Sequence, residues 1–494
     1  MTEAPPTDAP ARSYWQQVGV GLRRNRIAML AAAMLVLVAL VAVFCPLIAN
    51  NRPLYLRAVL EADYFNSLQI VIEQTSFLTP EIPAETRANA RTLALANFEE
   101  VRTHLQPREA GDLALIRDDL LRQLDAGGTL SAEASAALAA RLDPFFEVTL
   151  TPVPRYPAIR ALTAPEVYAL LAFAAMIPAM LIRGRRVGFA ARLLAALAIA
   201  GICTAMWKSA WPTIQDNRPY RAIVEAQDFP ASGGAVVRTP VSYGENENII
   251  RESRQPPTWR IPAAQRAADA HWHWLGTDTN GRDVLARMIY GARVSMLVGV
   301  IAVSVYTAIG IVLGALAGFY GGWTDIAISR VIEVVICFPP LMLILAVQAF
   351  LAPSIFNIIL TLAALWWTGV ARLQRAEFLR LVGMDFVQSV RALGGSSLRI
   401  IFLHILPNGL GPILVMTSFG IAGSILIESG LSFLGFGVPQ PMASWGDLLN
   451  NGRNDIKGTW WLTVFPGLAI FATVTCFNLL GEAVRDALDP RRGK

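Results

Sequence analysis

The sequence predicts an all-α integral membrane protein, a polytopic helical bundle of about eight spans. Its 494 residues are 54% hydrophobic and only 16% charged, with a mean hydropathy of +0.45, whereas soluble chains carry nearer a quarter charged residues. The apolar residues fall in uncharged blocks long enough to cross a bilayer, which takes roughly 20 residues per helix. When spans are counted, the arginine clusters fall on one side, as positively charged cytoplasmic loops do.

Six blocks are clear. Residues 27–48 and 294–320 hold no charge, 334–367 holds two spans parted by the Ala352-Pro353-Ser354 turn, and 409–427 and 458–481 follow. Two weaker blocks, 167–182 with Pro178 and 187–207 with Arg192, complete eight; Arg192 is long enough to snorkel to the interface. The organisation expected is an amino-terminal segment and first span (1–49), an external insertion (50–163), two additional spans (164–208), a second external segment with an interfacial helix (209–290), a transmembrane core (291–483) with a cytoplasmic loop at 374–408, and a cytoplasmic tail (484–494).

Arg23, Arg24 and Arg26 precede the first span and set the amino terminus inside. Arg183-Gly184-Arg185-Arg186, Arg330 and the terminal DPRRGK then fall on the same side. The net charge of +5 reads as this topology and not as a nucleic-acid footprint. Cys45, Cys203, Cys337 and Cys476 each lie in an expected span, as small packing residues. The first apolar run is too long for a cleaved signal peptide.

The polar segments suggest folded external structure. RANARTLALANFEEVRTHL and ALIRDDLLRQLDA space their apolar residues helically. A faint repeat links NRPLYLRAVLEADYF from Asn51 with NRPYRAIVEAQDF from Asn217, as though one exit segment had been duplicated or split. Neither segment shows an enzyme site. His271 and His273 in HWHW lack the Cys or carboxylate pattern of a zinc site and read as part of an interfacial aromatic belt.

The segment 384–408, MDFVQSVRALGGSSLRIIFLHILPN, is unusual for a loop between spans. Phe386, Val387, Val390 and Leu393 fall on one helical face, and Gly394-Gly395 interrupts the helix. Ser396 or Ser397 then caps a second segment with the stripe Leu398, Ile401, Phe402 and Ile405, and Pro407 is expected to redirect the chain. Periodicity leaves two readings open: a helix presented to a soluble partner, or an interfacial helix that only links two spans.

In 276–291, GTDTNGRDVLARMIYG, the Thr279-Asn280-Gly281 turn and Asp283 predict the start of an interfacial helix ahead of the span from Val294. Whether it only anchors or also meets substrate stays open. Pro339 and Pro340 predict a kink. Glu333 and Glu428 are placed at opposite span ends, each within reach of water, so no span demands a proton relay.

Gly394, the Ile-rich helix and HILPN resemble the coupling loop of ABC-importer permeases. RRNRIAMLAAAMLVLVALVAVFCPLIA, HWLGTDTNGRDVLARMIYGARVSMLVG, GFYGGWTD, ESGLSFLGFGVPQPMASWGDLL and PGLAIFATVTCFNLLGEAVRDALDPR narrow the resemblance to the C-type subunit of the dipeptide and oligopeptide permeases. The resemblance implies the type I importer fold in the inner membrane, with both termini cytoplasmic and peptides or similar small solutes as cargo. It implies as partners a B-type permease, two ABC ATPases carrying ATP and Mg, an external solute-binding protein and membrane lipid, with no cofactor or metal on this chain and no nucleic acid. The coupling residues it implies are Asp385, Gln388, Ser389, Arg391, Ala392, Gly394, Ile401, Leu406 and Pro407.

The sequence departs from the family twice. Gln388-Ser389-Val390 stands where Glu-Ala-Ala is usual, and about 220 residues separate the first span from the core. The chain has no G-x-x-x-x-G-K-[ST] loop, so ATP hydrolysis falls to other subunits. The alternative from another class is a membrane receptor or scaffold acting through the insertion.

Overall fold

The computed structural model describes residues 25–124, 127–181, 189–213, 220–226, 234–265 and 271–488. Arg23, Arg24, the 183–186 cluster, Asn217-Arg218-Pro219 and the DPRRGK arginines lie outside the described residues.

In chain order, α1 is Arg26–Ile48, β1 Tyr55–Ala58, α2 Glu61–Ser76, α3 Ala84–Thr103, α4 Pro107–Gln123, α5 Ala132–Leu142 and β2 Val153–Arg155. Next come α6 Pro157–Ala161, α7 Ala164–Leu181, α8 Phe189–Ala210, α9 Tyr220–Ala226 and β3 Ala235–Val237. The remainder is helical: α10 Val284–Tyr320, α11 Gly322–Ile336, α12 Pro340–Phe350, α13 Ile355–Val382, α14 Asp385–Ala392, α15 Ser397–Leu434, α16 Trp445–Gly452 and α17 Trp461–Leu488. These residues form two compact units. One comprises the chain up to Ala49, Ala172–Phe189 and everything from Tyr243; the other comprises Asn50–Leu171 and Ala190–Ser242.

The second unit gathers most of what the sequence divides into two polar segments. The central strand β1 pairs antiparallel with β2, Leu56 opposite Arg155, and with β3, Leu56 opposite Val236. The helical patterns in 87–105 and 114–126 are borne out, as far as the described residues run, by α3 and α4. Leu113, Ile116 and Leu120 turn inward from α4 to meet Phe98 and Val101 of α3 and Tyr64, Leu68 and Val71 of α2. Each such side chain, fully buried, contributes about 1.5–3 kcal/mol. His104, buried at the end of α3, and Arg155 both engage Glu100, with Arg155 Nη2 2.5 Å from its carboxylate. The His104 ring, 3.8 Å from that carboxylate, and the Arg155 guanidinium, against the opposing effect of burial, hold the Glu100 carboxyl pKa at about 2.

The faint repeat does not fold as a repeat. Its first copy enters β1, whereas the described part of its second copy is α9, which packs on that strand through Tyr220 and Val224 against Leu56, Ala58 and Leu60.

In the other unit α10 is central, packing on α13, α15 and α1, while α17 packs on α15, α1 and α16. Among the described residues of both units, six helices are long and apolar enough to span, α1, α8, α10, α13, α15 and α17, or seven if the bent pair α11 and α12 is one span. The shorter apolar α7 is the remaining block of the expected eight. The span expected ahead of the Ala352-Pro353-Ser354 turn is therefore broken: α11 and α12 meet at 78°. Pro339 caps α12 and Pro340 opens it, and α12's 11 residues reach about 16 Å, half a hydrocarbon core. Cys337 lies in this break and is exposed, as is Cys203, so neither is the buried packing residue expected; Cys45 is.

No separate interfacial helix precedes the span at Val294. Asp283 accepts from the Ala286 N–H at 2.7 Å and caps one 37-residue helix, about 55 Å long. Nothing between Val284 and Val294 breaks it, because Gly291 is held against Trp445 and Ser444.

Candidate functional site: the coupling segment and its supports

Three glycines one turn apart on α10 let α13 approach its backbone. A Cβ at Gly310 would lie 2.5 Å from Val370 Cβ, at Gly314 2.5 Å from the Ala371 carbonyl, and at Gly318 2.6 Å from Phe378 Cβ. Without a hydrophobic driving force in lipid, such small-residue contact is what holds helices together. The spacing in GIVLGALAGFY is a legible signal that the motif reading passed over.

This seam fixes the end of α13, from which the segment 384–408 hangs. α14 packs by Val387 and Val390, and the start of α15 by Ile400, Ile401 and Ile405, against Ala315 and Phe319 of α10 and Phe378 and Leu381 of α13. Gln388 Nε2 donates to the Val382 carbonyl at 3.0 Å, capping α13, and Ser389 donates to Asp385 O at 2.8 Å. The Arg391 guanidinium lies 5.8 Å from the centre of the Phe319 ring, a cation–π geometry. The Arg375–Asp325 pair joins α13 to α11. Sequence reasoning missed Phe319 as a support, since nothing local links it to Arg391.

The two predicted apolar stripes are only partly buried. Phe386 and Leu393 lie outside the first packed face, and Leu398 and Phe402 outside the second, where Ile400 takes their place beside Ile401 and Ile405. In the second segment a π-turn at Ile400–Ile405 rotates the stripe relative to a regular helix. Leu393 is 88% exposed, Leu398 65%, Leu403 65% and Phe402 57%. Pro407 does not redirect the chain. It sits in the first turn after the wide π-turn, where its missing N–H and its ring are tolerated, and α15 runs on unbroken to Leu434.

Gly394 has φ +79°, a conformation that only glycine adopts without strain, and a Cβ there would meet nothing within 4 Å. Gly395 is tight instead, its would-be Cβ 2.7 Å from Val390 Cγ1. Asp385, Gln388, Ser389, Arg391, Ala392 and Gly394 are all on the exposed surface, as is Pro407, whereas Ile401 is buried and Leu406 half-buried beneath it.

A polar cluster lies far along α15. Glu428, expected to reach water, is buried: its carboxylate accepts from Ser295 of α10 at 2.9 Å and from Ser432 at 2.8 Å. Glu333 is exposed as expected, paired with Arg330. The buried Arg287 guanidinium donates to Asp447 at 2.8 Å.

The HWHW histidines point inward while Trp272 and Trp274 stay exposed. His273 bridges Asp283 at 2.8 Å and Glu252 at 3.0 Å, and His271 also meets Glu252 at 2.8 Å. Burial opposes the charged forms of both Glu252 and His273. The histidine hydrogen bonds outweigh it to lower the Glu252 carboxyl, and the two carboxylates outweigh it to raise His273.

The family of binding-protein-dependent transport system inner membrane components matches residues 310–494, and the N-terminal transmembrane domain of oligopeptide transport permease C matches 13–66. The dipeptide transport system permease protein of Alkalihalophilus pseudofirmus is 41% identical over 219 residues, 44% of this chain and 72% of that protein. The glutathione transport system permease protein of Pectobacterium atrosepticum is 42% identical over 219 residues, 44% of this chain and 73% of its own length. The oligopeptide transport system permease protein of Haemophilus influenzae is 38% identical over 233 residues, 47% of this chain and 75% of its own. These matches favour the permease over the receptor or scaffold. The chain belongs to the inner membrane components of binding-protein-dependent transport systems and is a C-type permease subunit of an ABC transporter.

Proposed function

We propose that the chain carries peptides or similar small solutes inward, with ATP hydrolysed on two separate ATPase subunits that grip the surface formed by Asp385, Gln388, Ser389, Arg391, Ala392 and Gly394, with Ile401, Leu406 and Pro407 supporting it. A second, B-type permease completes the pathway and an external binding protein delivers the cargo. Both termini lie in the cytoplasm of an inner-membrane protein. The observation that carries this reading is the exposed apolar set Leu393, Leu398, Phe402 and Leu403 around an open Gly394, on a segment packed firmly against α10 and α13. Such a surface fits a groove on a soluble partner, and nucleotide-driven closure of that partner moves it, switching the pathway between outward-facing and inward-facing states. The peptide cargo is supported by the relatives, which are dipeptide, glutathione and oligopeptide transport permeases.

A mild-detergent pull-down of the tagged chain from its native membranes, read by mass spectrometry, tests the assembly. Recovery of a second permease and ATPases supports it; recovery of external proteins alone sinks it. The unit formed by 50–171 and 190–242 enlarges the docking surface for the binding protein in this reading. Deleting 52–163 with transport and binding-protein affinity unchanged removes that role.

A further inference from the structure

The two copies of the faint repeat, which fold differently, meet at one small cleft. Arg52 and Pro53 reach it from the first copy, Tyr220 and Arg221 of α9 from the second, and Arg238 from the segment just after β3. Three arginines thus line the cleft, and among the described residues no carboxylate does. A recess lined by one sign of charge concentrates its field and draws the opposite charge.

Main-chain hydrogen bonds fix the walls. The Asn50 N–H donates to the Val241 carbonyl at 3.0 Å, and the Thr239 hydroxyl donates to the Asn50 carbonyl at 2.8 Å. The Arg52 N–H closes a turn on Asn50 Oδ1 at 3.0 Å, and Arg221 Nη2 donates to the Ser242 carbonyl at 2.5 Å. Tyr220 and Thr239 are buried, Arg52 and Arg221 half-buried and Arg238 exposed, so the charge lies on the solvent side of the cleft. Its enclosed part is about 20 Å³, and its open mouth brings the whole to about 280 Å³. The enclosed part has room for one or two water-sized atoms. It suits the oxygens of an anionic group carried on a larger molecule, and not a whole solute.

The place of the cleft along the chain says which anion. The 23 residues of α1 reach about 34 Å, against a hydrocarbon core of about 30 Å. Asn50 comes two residues after Ile48, the last of α1, a distance of at most about 7 Å. The headgroup layer occupies about 5–8 Å beyond the core on each side, so this wall of the cleft lies at the depth of the lipid phosphates. Guanidinium groups meet phosphate oxygens with paired, charge-assisted hydrogen bonds.

We propose that this cleft binds a phosphate, carried on the headgroup of an anionic phospholipid. The bound phosphate joins Arg52, Arg221 and Arg238, which stand far apart in the sequence, and anchors the unit formed by 50–171 and 190–242 to the membrane surface.

The test is native mass spectrometry of the full-length chain, purified in a phosphate-free detergent and titrated with phosphatidylglycerol, diacylglycerol or inorganic phosphate. Diacylglycerol offers the same acyl chains without the phosphate. The expected result is saturable binding of phosphatidylglycerol in clear preference to diacylglycerol, with inorganic phosphate competing. Arg52→Gln and Arg238→Gln should each weaken that binding about tenfold, the worth of one charged hydrogen bond, at an unchanged unfolding temperature. Should Arg52→Gln fail to fold, Arg238→Gln, at an exposed position, carries the test. Arg108→Gln removes an exposed arginine of α4 that does not line the cleft, and should leave binding as it is. An equal loss in Arg108→Gln would reduce the effect to general charge attraction and overturn the site, as would unchanged binding in Arg238→Gln. Binding of inorganic phosphate with no preference for phosphatidylglycerol over diacylglycerol would overturn the lipid as its source.

Discussion

The side-chain amide of Gln388 donates to the main-chain carbonyl of Val382 across 3.0 Å, tying α14 to the carboxy-terminal end of α13. A carboxylate has no proton to donate at neutral pH, and it would face the negative end of the α13 dipole. Gln388→Glu is therefore expected to loosen this cap by about 0.5–1 kcal/mol, seen as faster hydrogen exchange at residues 381–388, while leaving the packing of Val387 intact. Protection equal to that of the wild type would show that the amide does not hold the joint.

Gly394 is constrained by its backbone and not by its neighbours. Gly394→Val is expected to cost about 1–2 kcal/mol for the positive φ and to project a branched side chain into the open surface. Transport and stimulated ATPase activity of the complex should fall together. Full activity of both would mean that nothing approaches this glycine closely.

The seam between α10 and α13 has no room at all. Gly314→Leu forces a side chain into a backbone carbonyl that would sit 2.5 Å from its Cβ, so the helices must part. Overpacking of this kind typically costs 1–3 kcal/mol or more. The expected readout is poor yield and a broad gel-filtration profile. Leu at Gly321, where a Cβ meets nothing within 4 Å, is the control for insertion of the chain, though its positive φ carries a modest cost of its own.

The His273 network predicts a pH window. His273 is raised above its ordinary 6.5, so its contribution is complete below that value and fades as pH rises through the raised one. Glu252 is lowered from 4.5, so its contribution is complete above that value and fades as pH falls through the lowered one. Asp283, Glu252 and the Tyr243 ring face His273, and His271 shares Glu252 with it. The loop from Ile249 to Arg254 should be best protected from hydrogen exchange between about pH 4.5 and 6.5, and less so as the solution turns alkaline. In His273→Asn the alkaline decline should vanish.

The spans were legible because a run of apolar residues is a local property, and so was the Asp283 cap, whose acceptor and donor lie three residues apart. The 78° break between α11 and α12 was announced by Pro339 and Pro340 as a kink, but its size depends on what α13 offers for packing. The burial of Glu428 was only half legible: Ser432, four residues on, is a local donor, but Ser295, which brings α10 against it, lies 133 residues away. In 384–408 the first short helix, the Gly394 turn and the start of a second helix were readable. The buried face of the second was not, because the π-turn at Ile400–Ile405 changes the period on which such a reading depends.

The uninterrupted course of α15, 38 residues from Ser397 to Leu434, makes it a rod about 57 Å long. Its hydrogen-bond ladder is irregular at the π-turn and at Pro412. A tilt of about 10° pivoting at its first turn would carry its last turn through about 10 Å by that length, further than the width of a helix backbone. The bend that Pro407 was expected to introduce would have let the two ends move independently. Its absence keeps Ser397 and Leu434 on one helix, so in the proposed cycle a tilt at one end is carried to the other.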